Sequence, residues 1–360
     1  MKNRIVIKIG TNVLADKTGR VDYGRMEKFV NDIAKIKKQR KDILLVTSGA
    51  IGAGMAELNI IGRPRDVKIQ QACAAVGQSI IMSKYKEFFN KHDINVAQIL
   101  LSYDSFSNRK NFLNLRNCIQ TLLKLDTIPI INENDPISID ELGASFGDND
   151  KLSALVASKI EADTLLILTT VDGIYDKDPK FKDAKLIREV HQFNKGIENL
   201  KGKSILGTGG IKTKIEAAKI TMSSGIITII ANGKKENIID IINGKKQGTT
   251  FYPSAKLSSK KRWIRFSKPK GKIFIDKGAK KAMLNGKNLL PSGIIDIKVD
   301  FDKDDVVDIF CDNVLFAKII TDYKSKDLTN FKGKNSLEIK KAYNKRINNI
   351  AKRENLVFME

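Results

Sequence analysis

Six short runs of Ile, Val and Leu recur along the first 230 residues, and each stops at a polar or glycine-rich turn. They cover residues 5–9, 43–46, 96–101, 128–131, 164–168 and 226–230. None alternates strictly between apolar and polar side chains. A strand with one wet face would alternate, so these runs read as strands buried on both faces, the habit of a parallel sheet covered by helices. The intervening segments have helical spacing. In 25–38, Met26, Phe29, Val30, Ile33 and Ile36 share one side, and 69–89, 111–125 and 152–162 behave alike. Strand and helix in alternation predict an α/β fold, with ligands bound at the carboxyl ends of the strands. The sheet is expected to be complete by Ile230, with 238–242 as a closing helix.

The pattern changes near residue 250. Gly248, Pro253 and Ser254 mark a break, and Lys260-Lys261-Arg262-Trp263 follows. Shorter β-type runs then occupy 272–275, 294–299, 306–311 and 315–320, separated by Gly, Asp and Asn turns. We therefore expect one domain over 1–252 and a small β-rich one over 256–360, its last 25 residues helical. The chain carries a formal charge of +23. Residues 256–360 hold 25 of the 64 Lys and Arg against 13 of the 41 Asp and Glu. The second domain is thus the denser in positive charge, which suits a nucleic-acid footprint or a lysine-rich surface without a partner.

Three cysteines without metal-ligand spacing fit a reducing, cytoplasmic compartment. Two isolated histidines, His92 and His191, make histidine-based triads poor options. No apolar stretch approaches the roughly 20 residues needed to span a bilayer, and residues 1–10 lack the core of a signal peptide.

The strand ends carry the chemistry. Lys8 closes the first run, where an ammonium makes sense if it faces an anion. Thr47-Ser48-Gly49-Ala50-Ile51-Gly52-Ala53-Gly54 follows the second run. Its glycines can bring backbone N–H groups close to an anionic ligand. Asn132-Glu133-Asn134-Asp135 and Gly147-Asp148-Asn149-Asp150 are dense in acids and amides. Such a set suits a zwitterion, with acid for an ammonium and amides for a carboxylate. Gly207-Thr208-Gly209-Gly210-Ile211-Lys212-Thr213-Lys214 leads into a helix and suits a polyphosphate.

In this order, the clusters resemble the amino acid kinase family, and in particular its members that phosphorylate the side-chain carboxylate of L-glutamate at the start of proline biosynthesis. Leu152-Ser153-Ala154-Leu155 and Ala74-Ala75-Val76-Gly77-Gln78 match as well. The second domain, through Arg262-Trp263-Ile264 and Leu289-Leu290-Pro291-Ser292-Gly293-Ile294, resembles the PUA domain, a small β-barrel module of RNA-modifying enzymes. The resemblance implies an α/β/α sandwich with a mainly parallel central sheet, ATP as co-substrate, Mg²⁺, a homo-oligomer, and hand-over of an acyl phosphate to the next pathway enzyme. It leaves RNA binding by the second domain open.

Residue by residue, the resemblance implies that Lys8 and Lys214 flank the transferring phosphoryl group and that Asp150 holds both. Ser48, Asp135 and Asn149 would bind glutamate, with Gly49, Ala50 and Asn132 nearby. Thr169 and Thr170, then Thr208, Gly209, Gly210, Ile211, Lys212, Thr213 and Lys214, would line the ATP site together with Lys8. Thr170 departs from the pattern, since the family often has an acid there; Asp172 and Tyr175 follow it. Segment 138–146 is the expected lid over a hydrolysable product. A carboxylate acceptor needs no general base, being ionised above about pH 4.3, and the motifs offer none. The acid at 135 favours a free ammonium over an acylated amine. The competing reading is an RNA-binding regulator on a kinase fold.

Overall fold

The computed structural model describes residues 3–62, 64–102, 104–107, 109–137, 149–193, 197, 210–253, 257–343 and 349–359. The chain divides into two compact units, Met1–Lys256 and Leu257–Glu360.

Among the described residues, the first unit holds a small antiparallel pair, β6 (Ile174–Tyr175) and β7 (Leu186–Ile187), and is built on an eight-stranded sheet of order β3-β4-β2-β1-β5-β9-β10-β8. The central strands are β1 (Arg4–Ile9), β2 (Asp42–Val46), β4 (Ile128–Glu133), β5 (Thr164–Thr169) and β9 (Ile227–Asn232). These five run parallel, and β3 (Val96–Leu101) joins them in parallel at one edge. Every residue of β2 and β4 is buried, as unalternated apolar runs require. At the edge, β3 is only half covered.

The sheet extends beyond Ile230, contrary to the sequence expectation. Strand β10 (Thr249–Phe251) pairs antiparallel with β9 and parallel with β8 (Glu189–Val190). Three residues are too few to show a period, and Gly248 and Pro253 disguise them as a break. Gly248 is needed there for a positive φ of 74° and a close approach, since a Cβ would lie 2.0 Å from the Ile230 carbonyl oxygen.

Helices cover the sheet. They include α1 (Thr11–Leu14), α2 (Tyr23–Lys38), α3 (Ala50–Glu57), α4 (Val67–Asn90), α5 (Asp104–Ser107), α6 (Arg109–Lys124), α7 (Asn149–Ile160), α8 (Ile211–Met222) and α9 (Ile238–Ile242). Helix α2 shows how sequence sets them. Asp22 caps its start, accepting from the Arg25 N–H at 2.9 Å, and Lys35, Lys37 and Lys38 crowd its negative end. The predicted stripe Met26, Phe29, Val30, Ile33 and Ile36 is buried. It joins Ile5, Ile7 and Ile9 of β1 and Phe89 of α4 in one core.

In the second unit, α10 (Ser259–Phe266) carries the basic cluster and buries Trp263 and Ile264. A five-stranded sheet follows, of order β12-β11-β13-β14-β15. Its strands are β11 (Gly271–Ile275), β12 (Ile294–Lys298), β13 (Val306–Cys311), β14 (Val314–Ile320) and β15 (Leu356–Phe358). Among the described residues, the expectation of an α-helix after Ser336 holds for α13 (Ser336–Tyr343), which follows α11 (Lys277–Leu284) and α12 (Ser325–Phe331). The terminus is instead a strand: Leu356, Val357 and Phe358 pair with Ile319, Lys318 and Ala317. Among the described residues no helix is long and apolar enough to cross a membrane.

Candidate functional site

Lys8 lies on β1, between Val46 of β2 and Ile167 of β5 in register. With strands on both sides, its side chain cannot escape sideways, and it is 2% exposed. Asp150, in the first turn of α7, is fully buried. The Lys8 Nζ stands 2.7 Å from Asp150 Oδ1. Lys214, in the first turn of α8, places its Nζ 3.0 Å from Asp150 Oδ2. Thr213 Oγ1 lies 3.0 Å from the same oxygen and 2.9 Å from the Gly210 carbonyl. Burial pushes the Asp150 carboxyl up. The charges and hydrogen bonds of Lys8 and Lys214 outweigh that and hold it well below the usual carboxylate range. Asp150 is therefore a fixed anion that draws two ammonium groups to one point.

A second cluster adjoins the first through one peptide bond. The Asn149 Nδ2 lies 2.6 Å from the Thr47 carbonyl oxygen, 2.7 Å from Asn132 Oδ1 and 3.2 Å from Ser48 Oγ. Asn132 is the fifth residue of β4, and Thr47 and Ser48 directly follow β2. All of these residues are buried. Gly49 then turns the chain into α3 with a φ of 101°, a left-handed conformation in which a side chain would be strained. It leaves Ala50 at the helix start, next to Ser48.

Gly54, the last glycine of that run, and Gly77 of α4 serve the packing of two helices. A Cβ on Gly54 would lie 1.8 Å from the Cys73 carbonyl oxygen, and one on Gly77 1.9 Å from the Ala50 carbonyl oxygen. Gly54 and Gly77 let α3 and α4 approach each other.

Thr169 ends β5, level with Asn232 at the end of β9. Asn232 Nδ2 donates to the Thr170 carbonyl at 3.1 Å and to Asp172 Oδ1 at 2.7 Å. Lys235 Nζ stands 3.0 Å from the same Asp172 oxygen. The Asn232 hydrogen bond, with Lys235 assisting, lowers the Asp172 carboxyl. Sequence reasoning missed Asn232 and Lys235. The signal available was Asn232-Gly233, a polar strand end like those already noted. Thr170 itself is exposed, and Asp135, in the turn after β4, is half-buried.

Gly210, in extended conformation, caps α8, with Ile211, Lys212, Thr213 and Lys214 in its first turn. Thr208, Gly209, Gly207, the 147–148 pair and the expected lid 138–146 lie outside the described residues. The structure thus brings Lys8, Asp150, Lys214 and Thr213 together, joins them to Ser48, Asn132 and Asn149, and places Thr169 and Thr170 at a neighbouring strand end.

The profile of the amino acid kinase family matches residues 3–232, and that of the PUA domain matches 271–343. Glutamate 5-kinase of Methanosarcina barkeri is 45% identical over 99% of this chain and 97% of its own. Glutamate 5-kinase of Methanococcoides burtonii is 46% identical over 93% and 91%. A Thermoanaerobacter glutamate 5-kinase is 43% identical over 99% and 98%. Among solved structures, carbamate kinase from Giardia lamblia, bound to AMP-PNP, is similar in fold, with a TM-score of 0.52 and 18% identity over 70% of this chain and 99% of that one.

Proposed function

The chain belongs to the amino acid kinase family, among its glutamate 5-kinases, and from that premise we propose that it transfers the γ-phosphoryl group of ATP to the side-chain carboxylate of L-glutamate, the first step of proline biosynthesis. One observation supports the assignment of residues above all. The two ammonium groups meet on Asp150, and the next residue, Asn149, is the hub of the amide cluster. A phosphoryl donor and a carboxylate acceptor bound at these clusters would meet at α7.

In the proposed mechanism, glutamate lies against Ser48, Asn149 and the Gly49–Ala50 backbone, with Asn132 beside it. Asp135 faces its ammonium. ATP occupies the ends of β5 and β9 and the start of α8, along Thr169, Thr170 and residues 208–214. The acceptor carboxylate is already ionised at neutral pH, so no residue has to remove a proton. It attacks the γ-phosphorus in line as the bond to ADP breaks. Negative charge spreads over the transferring oxygens, and Lys8 and Lys214 are preorganised to stabilise it. Asp150 holds both lysines in place.

Asp150 has both oxygens engaged, and among the described residues no three His, Cys, Asp or Glu side chains could hold a metal ion. The described residues therefore do not form a protein-built Mg²⁺ site. We route no step through the ion; in the proposal it arrives with ATP. The product is an acyl phosphate, whose reactivity with water supports direct hand-over to a following enzyme; the cytoplasmic location and the homo-oligomer remain part of the proposal, the oligomer as the resemblance implies.

Trapping the product with hydroxylamine tests the proposal. Hydroxamate should form with L-glutamate and ATP, and about 10²-fold less with N-acetyl-L-glutamate, which lacks the ammonium that Asp135 would face. Equal rates with both acceptors would overturn the assignment of Asp135, and no hydroxamate from glutamate would overturn the reaction.

A further inference from the structure

Gln78 lies in the middle of α4, a helix to which the proposed mechanism gives no part. It is 9% exposed. Its Oε1 accepts from Asn132 Nδ2 at 2.9 Å. Asn132 Oδ1 in turn accepts from Asn149 Nδ2 at 2.7 Å, and Asn149 reaches the Thr47 carbonyl at 2.6 Å. The chain of amides runs from α4 through β4 to the first turn of α7.

An asparagine amide can turn over by exchanging its oxygen and nitrogen at little steric cost. Asn132 turned over would present N–H groups to the Asn149 N–H groups and lose both bonds. The Thr47 carbonyl holds Asn149 as the donor, and the Gln78 oxygen, accepting from the Asn132 nitrogen, opposes the turn from the other side. Asn132 Oδ1 is thereby kept facing Asn149. The same helix braces the neighbouring strand end: Tyr85, two turns further along α4, has its hydroxyl 2.8 Å from Thr47 Oγ1. Tyr85 is fully buried. Gly77, beside Gln78, fixes how closely the start of α3 approaches.

We propose that Gln78 is a positioning residue for the acceptor substrate: it sets the orientation of Asn132 and, through it, of Asn149. This rests on the glutamate reading given above. Gln78 touches neither reacting atom nor nucleotide in this account, so its loss should appear in acceptor binding alone.

Gln78→Met keeps the volume and removes the oxygen. It should raise KM for glutamate about tenfold, the scale of a buried amide left unsatisfied, with KM for ATP within about twofold of wild type. The distinguishing readout is a double-mutant cycle with Asn132→Ala. If Gln78 acts through Asn132, Gln78→Met should add no further rise in KM for glutamate once Asn132 is gone. Effects that multiply in the double variant, or a KM for ATP that rises as much as that for glutamate, would overturn the proposal. A neutron crystal structure of Gln78→Met, in which deuterium marks the amide nitrogen, gives a readout independent of the reaction. An Asn132 amide rotated away from Asn149 supports the inference even if glutamate proves to be the wrong acceptor, and an unmoved amide overturns it.

Discussion

Lys159 shows what a single buried charge costs outside any site. It is 2% exposed, on the far end of α7 from Asp150, and its Nζ sits 3.4 Å from the centre of the Phe112 ring and 5.4 Å from that of Phe106. Among the described residues it makes no hydrogen bond. Burial pushes its ammonium down to about 7, and Arg116 adds to the effect. An unfolded lysine titrates near 10.4. Between about 7 and 10.4 the unfolded chain holds the extra proton, so the stability of the first unit should rise with pH over that window. Below about 7 the full penalty remains. Lys159→Met should flatten the slope and raise the melting temperature at pH 7, measured by calorimetry from pH 6 to 10. An unchanged slope would show that Lys159 is not buried as described. Asp150 gives a slope of the same sign, but it stabilises where Lys159 penalises. Its carboxyl is held down, so its contribution is present above the ordinary carboxylate range and is lost only at more acid pH. At the acceptor site, Asp135→Asn should raise KM for glutamate by a factor equivalent to about 1.5–3 kcal/mol while sparing KM for ATP. Lys8 and Lys214 were legible in sequence because a lysine ending a buried strand and a glycine-lysine helix start are both out of place in a core, whereas the place of Asp150 between them came from the resemblance alone. Gln78 was not legible, since a glutamine inside a helix carries no signal until its partner is seen across the fold.

Helices α3 and α4 form the element whose packing the site depends on. Their approach leaves no room for a methyl group at Gly54 or Gly77. Gly77→Ala should destabilise the first unit by about 1–3 kcal/mol, the range for overpacking, and should raise KM for glutamate because the Ala50 end of α3 must move. Denaturant unfolding and initial rates check the two effects. Full stability in Gly77→Ala would mean that the helices can separate without loss. Six apolar runs announced the central strands, because burial on both faces leaves a long unbroken signature. Strands β10 and β15 left none. Each has three residues, and each owes its place to a neighbour, β9 or β14, rather than to its own pattern. The glycine run after β2 misled in part for a related reason: a glycine needed for helix contact and one needed for ligand approach look the same in sequence.

For the whole molecule, the division at Lys256 and Leu257 falls after the last strand of the large sheet, and the assigned residues from Lys8 to Lys214 all precede it. A protein ending at Lys256 should therefore fold and keep kcat within about tenfold of the full chain, or roughly 1.4 kcal/mol. One ending at Ile242 should not, because it lacks β10. A Lys256-terminated protein that is folded by circular dichroism yet inactive would show that the basic unit completes or controls the catalytic one.

The central claim is that two lysines held on Asp150 drive phosphoryl transfer to glutamate. The most direct measurement is the rate of hydroxamate formation from L-glutamate and ATP by wild type and by Lys214→Met. The reaction should require both substrates, and kcat should fall by about 10²–10³, with smaller changes in KM, when the ammonium is lost. A Lys214→Met enzyme within threefold of wild type would contradict it.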